Sequence, residues 1–143
     1  MTLPIAIPAL IPELDVSDLS ASLAFYRHLL GFTLLFDRPE ETFAYLALGP
    51  VHLMLQQADG PGRRFRTAPL ERPFGRGINL QIRVAEADAI HDRLLAADAR
   101  IVLPVEERWY RQDGLLRGNR QFVVEDANGY LLRFFRDLGT RPA

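Results

Sequence analysis

The feature that most limits how this chain can fold is a strand–helix–strand pattern that occurs twice. In the first copy, Pro8 to Phe36, Leu10, Leu14 and Val16 alternate with Ile11, Glu13 and Asp15, so the two sets take opposite sides of a strand. Ser17 and Asp18 are N-cap residues. Leu19, Leu23, Tyr26, Leu29 and Leu30 then recur at helical spacing, and Gly31 supplies the stop before a second extended run, Phe32 to Phe36. In the second copy Ile78 to Val84 alternates in the same way, and Ala87 to Asp98 carries helical spacing through Ile90, Leu94 and Leu95. Val16 and Val84 mark equivalent points, each followed by an amphipathic helix, which is the signature of an internal duplication.

The remaining strands complete each copy. Thr42 to Leu48 and Val51 to Gln57 read as strands joined by a Gly49-Pro50 turn. Later, Ile101 to Leu103 is a short strand, and Val105 to Asn119 is a strand or loop turning at Asp113-Gly114. Arg120 to Glu125 and Tyr130 to Arg136 form a hairpin about Asn128-Gly129. The reading is an α+β protein built of two β-α-β-β-β modules in one domain spanning 1–143. Module one covers about 8–57 and module two about 78–136, with a Gly- and Pro-punctuated linker loop over 58–77. Asn79, Gln81 and Arg83 alternate with Ile78, Leu80, Ile82 and Val84, and are therefore expected on the sheet face away from the helix, as are Ile11, Glu13 and Asp15.

Composition narrows the chemistry. The chain has no cysteine, which excludes disulfides, thiolate metal sites and cysteine nucleophiles and is compatible with a reducing cytoplasm. All 17 basic residues are arginine, so lysine Schiff-base and general-base chemistry are excluded as well. The proline-rich start lacks a basic segment and does not read as a signal peptide, and no apolar run is long enough to span a bilayer. A cytoplasmic protein without membrane attachment is expected. The formal net charge of −1 argues against a general nucleic-acid binder. Charge is nevertheless uneven. Between Pro61 and Gly77, Arg63, Arg64, Arg66, Arg72 and Arg76 face only Glu71, with Phe65 and Phe74 interleaved. A solvated linker or a lid for an anionic ligand is preferred to a nucleic-acid patch, because one loop is a small footprint.

Two stretches carry a resemblance. VSDLSASLAFYRHLLGF, through Asp18-Leu19, Ser22, Phe25-Tyr26 and Leu30-Gly31-Phe32, and VEDANGYLLRF, from Val124 to Phe134, are similar to the opening and closing segments of the vicinal oxygen chelate superfamily. That superfamily includes the glyoxalase, bleomycin-resistance and extradiol dioxygenase proteins. The resemblance implies modules whose sheets form a curved mixed sheet around a concave ligand groove, helices outside, in a homodimer. It also implies that Leu131, Arg133 and Phe135 face the groove.

Enzymes of the superfamily hold a divalent metal with His and Glu or Gln side chains. The resemblance puts the corresponding positions at Ile11, Asn79 and Arg133, with the remaining one near Leu53 or Leu55. An aliphatic, an amide and a guanidinium do not make a ligand set, and a guanidinium repels a dication. No metal and no other cofactor is expected. His28 and His91 lie on helices and read as solvated, while a slip in register would bring His52 into the groove. Ser17, Ser20 and Ser22 cluster at the helix cap, where hydroxyls satisfy free N–H groups.

The expected ligand-binding residues are Glu13, Asn79, Gln81, Trp109, Tyr110, Arg120 and Arg133. Glu13 is read first as an ion-pair partner of Arg133 or Arg120, and second as a ligand contact or base. Trp109 and Tyr110 sit among charges in a rim segment and are read as an amphipathic wall that stacks on a ligand. The resemblance then points to a metal-independent small-molecule-binding protein like the bleomycin-resistance proteins, which sequester a drug. A lyase or isomerase of the same superfamily is the alternative. Bleomycin is cationic and needs an acidic groove, whereas Arg83, Arg120 and Arg133 suit an anionic or aromatic ligand at least as well.

Overall fold

The computed structural model describes residues 4–143, which divide into two compact units, one up to Pro69 and one from Leu70 onward. In the first unit β1 (Glu13–Val16) leads into α1 (Leu19–Ala24) and a π-helical turn over Phe25–Leu29. There follow β2 (Thr33–Arg38), a short 3-10 turn at Pro39–Glu41, β3 (Phe43–Leu48) and β4 (Val51–Gln57). The sheet order is β1-β4-β3-β2, parallel between β1 and β4 and antiparallel elsewhere. The second unit repeats this topology with β5 (Asn79–Arg83), α2 (Ala87–Ala96), β6 (Ile101–Gln112), β7 (Leu115–Glu125) and β8 (Leu131–Pro142) in the order β5-β8-β7-β6. Again only the first and last strands run parallel. The α+β class and the duplication therefore hold at the level of strand order.

Local chemistry explains the elements. Asp18 is the N-cap of α1, its side chain accepting from the Ala21 N–H at 3.1 Å, rather than the serines. Ser22 is buried, and its hydroxyl has no hydrogen-bond partner among the described residues. Gly31 closes the helical segment at φ 86°, a left-handed geometry that glycine adopts without a Cβ clash. Tyr26 is fully buried and edge-packed on Phe25 and Phe32. Beneath α1 the sheet contributes Leu14, Val16, Ala44, Leu46, Leu53 and Leu55, all buried. Beneath α2, Ile82, Phe122, Val124, Leu132 and Phe134 pack against Ile90 and Leu94, with Phe122 stacked on Phe134 at 5.5 Å.

Several expectations change. β1 begins only at Glu13, after Pro8 and Pro12, so Leu10 lies outside the strand and is 80% exposed. Ile78 and Leu95 are likewise exposed. The separate short strand and strand-or-loop expected over 101–119 are one continuous β6 and the start of β7, turning at Asp113-Gly114, and β8 runs on to Pro142. His91 is not solvated: its ring packs edge-on against Phe122 at 5.3 Å. No helix among the described residues is long and apolar enough to cross a membrane.

The loop between β4 and β5 is tied down by its own arginines. Arg64 donates to the Gln57 and Glu41 carbonyls. Arg66 donates to Asp15 and to the Ala58 carbonyl. In the second unit Arg72 donates to the Ala127 carbonyl at 2.7 Å, and Arg76 to the Arg72 carbonyl.

Candidate functional site

Each sheet has one face under its helix and one without it, and pairing across the ladders assigns every side chain to one or the other. In the first unit the helix-free face carries Glu13 and Asp15 on β1, His52, Met54 and Gln56 on β4, Phe43 and Tyr45 on β3, and Phe36 and Arg38 on β2. Its aromatic side chains gather on β2 and β3. Phe36 stacks on Tyr45 at 4.8 Å, Arg38 lies 3.8 Å over Phe43, and the Tyr45 hydroxyl is 2.7 Å from His52 Nδ1. At its β1 edge Asp15 is 8% exposed yet well satisfied, accepting from Gln56 Nε2 and Arg66 Nε, each at 2.8 Å. Glu13, the first of the expected ligand contacts, is exposed beside Met54 and makes no ion pair among the described residues.

In the second unit Arg133 occupies the middle of the helix-free face, level with Gln81 on β5 and Val123 on β7. Asn79 lies on the same face beside Leu131. Further across, the buried Gln121 donates to Glu106 Oε1 at 3.1 Å and to the Tyr110 hydroxyl at 2.7 Å, while Asn119 donates to Gln121 at the 3.5 Å limit. Asp137 closes the far end. The Gly139 N–H, and then Arg117, hold its carboxyl below the usual carboxylate range. Of the expected residues, this face brings together Asn79, Gln81, Tyr110 and Arg133.

Two expected residues are on the other face. Trp109 pairs with Gly118 and is sandwiched between that glycine and Arg141, whose guanidinium lies 4.0 Å over the ring. Neighbours along a strand alternate, so Trp109 and Tyr110 do not form one wall. Arg120 shares the face of Phe122 and Val124. It is salt-bridged to Asp88 on α2 at 2.9 Å, and that hydrogen bond and charge raise its pKa. Gln121 is the residue on the helix-free face that sequence reasoning passed over. The signal was present, because it alternates with the apolar Phe122 and Val124 that had to lie under the helix.

This topology and these segments have a known counterpart. Residues 11–134 match the sequence model of the glyoxalase/bleomycin resistance protein/dioxygenase superfamily. The chain belongs to this superfamily. Among solved structures it is similar to TioX from Micromonospora sp. ML1, with 24% identity over 90% of this chain and 98% of that one and a TM-score of 0.68. A superfamily member from Alicyclobacillus acidocaldarius is 16% identical over 92% of each chain, with a TM-score of 0.59. Lactoylglutathione lyase from Agrobacterium tumefaciens is 21% identical over 94% of this chain and 96% of its own, with a TM-score of 0.56. At these identities the likeness shows the fold. No curated protein sequence matches the chain.

The glyoxalase superfamily is associated with a divalent metal, and the residues here do not fit one. Ile11 precedes β1 and brings no donor atom, and Arg133 brings only a cation. Leu53 and Leu55 are buried under α1, so the helix-free face of β4 instead presents His52, Met54 and Gln56. His52 is already bonded to Tyr45 and Gln56 to Asp15. Among the described residues no group of three or more His, Asp or Glu side chains is placed to hold an ion.

Proposed function

We propose that this chain is a metal-independent small-molecule-binding protein that works by holding its ligand, in the manner of the bleomycin-resistance branch of its superfamily, as a homodimer. Arg133 carries this reading. It stands on β8 where a metal enzyme of the superfamily would need an electron-pair donor, and a guanidinium offers only N–H donors. The polar groups around it support binding rather than proton transfer, since Gln121, Tyr110 and Glu106 are engaged with one another. Asn79, Gln81, Tyr110 and Arg133 are the proposed contacts, with Gln121 as a buried strut behind them. A reducing cytoplasm suits a chain without cysteine. The loop arginines are engaged with backbone carbonyls and with Asp15, which leaves little of that cluster for nucleic acid.

The test is metal analysis of protein purified without chelator, paired with ligand titration before and after chelator treatment. The expected result is no stoichiometric Mn, Fe, Ni or Zn and identical titrations. A stoichiometric metal whose removal abolishes binding would overturn the proposal. The rival, a lyase or isomerase, draws on one observation: the Tyr45 hydroxyl holds His52 Nδ1 at 2.7 Å on a helix-free face, an arrangement that can fix an imidazole for proton transfer.

A further inference from the structure

On the helix-free face of the second unit one buried charged group stands apart from the rest. The carboxylates of this face are each engaged. Glu106 accepts from Gln121, Glu125 lies 3.3 Å from Arg100, and Asp137 accepts from Arg117 at 3.0 Å and from the Gly139 N–H at 2.8 Å. Arg133 is different. Its Nε is buried and has no hydrogen-bond partner among the described residues, and the guanidinium forms no ion pair there. A buried donor left unpaired costs about 1–3 kcal/mol, and more when charged, so a chain that keeps one keeps it for a reason.

The surroundings say what would satisfy it. Arg133 is flanked across the strands by Gln81 and Val123, and along its own strand by Leu131 and Phe135. Apart from the exposed Gln81 amide these neighbours are apolar and half-buried, a surface that binds the hydrocarbon body of a ligand. A planar guanidinium fork matches a carboxylate with two parallel N–H···O bonds, and such charge-assisted pairs are the strong ones. Arg83 on β5 shares this face, and its charge is among the causes that hold the Asp137 carboxyl low, after the Gly139 N–H and Arg117. One guanidinium fork balances one negative charge, which fits a carboxylate better than a phosphate dianion.

We infer that the ligand of this protein carries a carboxylate, bound by Arg133 with help from Gln81, and an apolar body resting on Val123, Leu131 and Phe135. This rests on the small-molecule-binding reading and names the ligand class within it.

The experiment uses probes with one body and different heads: phenylacetate, 2-phenylacetamide, phenethylamine and phenyl phosphate, titrated into the full-length protein by NMR or calorimetry. Phenylacetate is expected to bind at least about tenfold more tightly than the amide or the amine, and more tightly than the phosphate. In Arg133→Leu that preference disappears while the amide binds as before. Because Arg133 lacks a partner, Arg133→Leu is also expected to unfold at an equal or higher urea midpoint, and Arg133→Gln separates loss of charge from loss of volume. Binding of the amine or the amide as tightly as the carboxylate would overturn the inference while leaving the small-molecule-binding reading in place. Preference for the phosphate would do the same. A marked loss of stability in Arg133→Leu would mean the guanidinium already has a protein partner, and that too overturns it. Failure of every probe to bind overturns the inference, and the separate metal analysis then decides whether the binding reading falls with it.

Discussion

Asp15 shows how a single side chain lets a short strand be buried on both faces. It belongs to the helix-free side of β1, yet it is as buried as Leu14 on the opposite side, because Gln56 from the neighbouring strand and Arg66 from the following loop close over it. A buried carboxylate is tolerated when its lone pairs are filled by an amide and a guanidinium. Asp15→Ala leaves the Gln56 amide unpaired and releases Arg66, and is expected to cost about 2–3 kcal/mol in urea unfolding, the usual range for breaking a buried polar contact. It should also speed tryptic cleavage after Arg64 and Arg66, because the loop loses its anchor to β1. Asp15→Asn, which keeps an acceptor for Gln56, should cost less. None of this was legible from sequence, where Asp15 read only as a groove-facing acid, since its partners are 41 and 51 positions away. Arg120 is the contrasting case: its parity with Phe122 and Val124 was readable in the sequence, yet it was expected in the groove, and the structure places it on the helix face, where Asp88 on α2 supplies the counter-charge.

At the scale of elements, β6 and β7 carry most of the difference between reading and structure. A strand of 12 residues with Pro104 and the run Glu106-Glu107-Arg108 inside it does not look continuous in sequence. It can form because β6 is the edge of its sheet, where a missing N–H costs nothing on the outer side, and because its register slips twice, once before Pro104, between Ile101 and Leu103, and once across it, between Leu103 and Glu106. By contrast β4, β5 and both helices were legible, since apolar alternation and helical spacing are set by burial of one face. The distal part of the β6–β7 ladder is locked by Trp109 lying on Gly118. A Cβ at Gly118 would meet the indole at 2.7 Å. Gly118→Ala must therefore push Trp109 away from its place under Arg141, at an expected cost of about 1–3 kcal/mol. Trp109 is the only tryptophan, so its emission reports this directly. A red shift with reduced intensity is expected, and an unchanged spectrum would show that the ring does not rest on Gly118.

For the molecule as a whole, the topology repeats but each copy leaves unfinished edges. The first sheet ends at β1 and β2 and the second at β5 and β6, and an open strand edge is an invitation to pair with another chain unless it is covered. Beside the start of β1, Ile7 and Leu10 are 57% and 80% exposed, and Ile78, just before β5, is 61% exposed. Large apolar side chains at the same point of both repeats are what a two-fold contact would use, because such a contact presents the same patch from each partner. We therefore expect the proposed homodimer to bury these side chains. Size-exclusion chromatography with light scattering should give twice the 16.2 kDa chain mass at micromolar concentration. Leu10→Glu combined with Ile78→Glu should shift that mass toward the monomer while far-UV circular dichroism stays unchanged, since neither residue belongs to the core of its unit. A monomeric mass for the unmutated chain across the micromolar range would count against the dimer. A stable dimer in the double variant would instead move the interface elsewhere on the molecule.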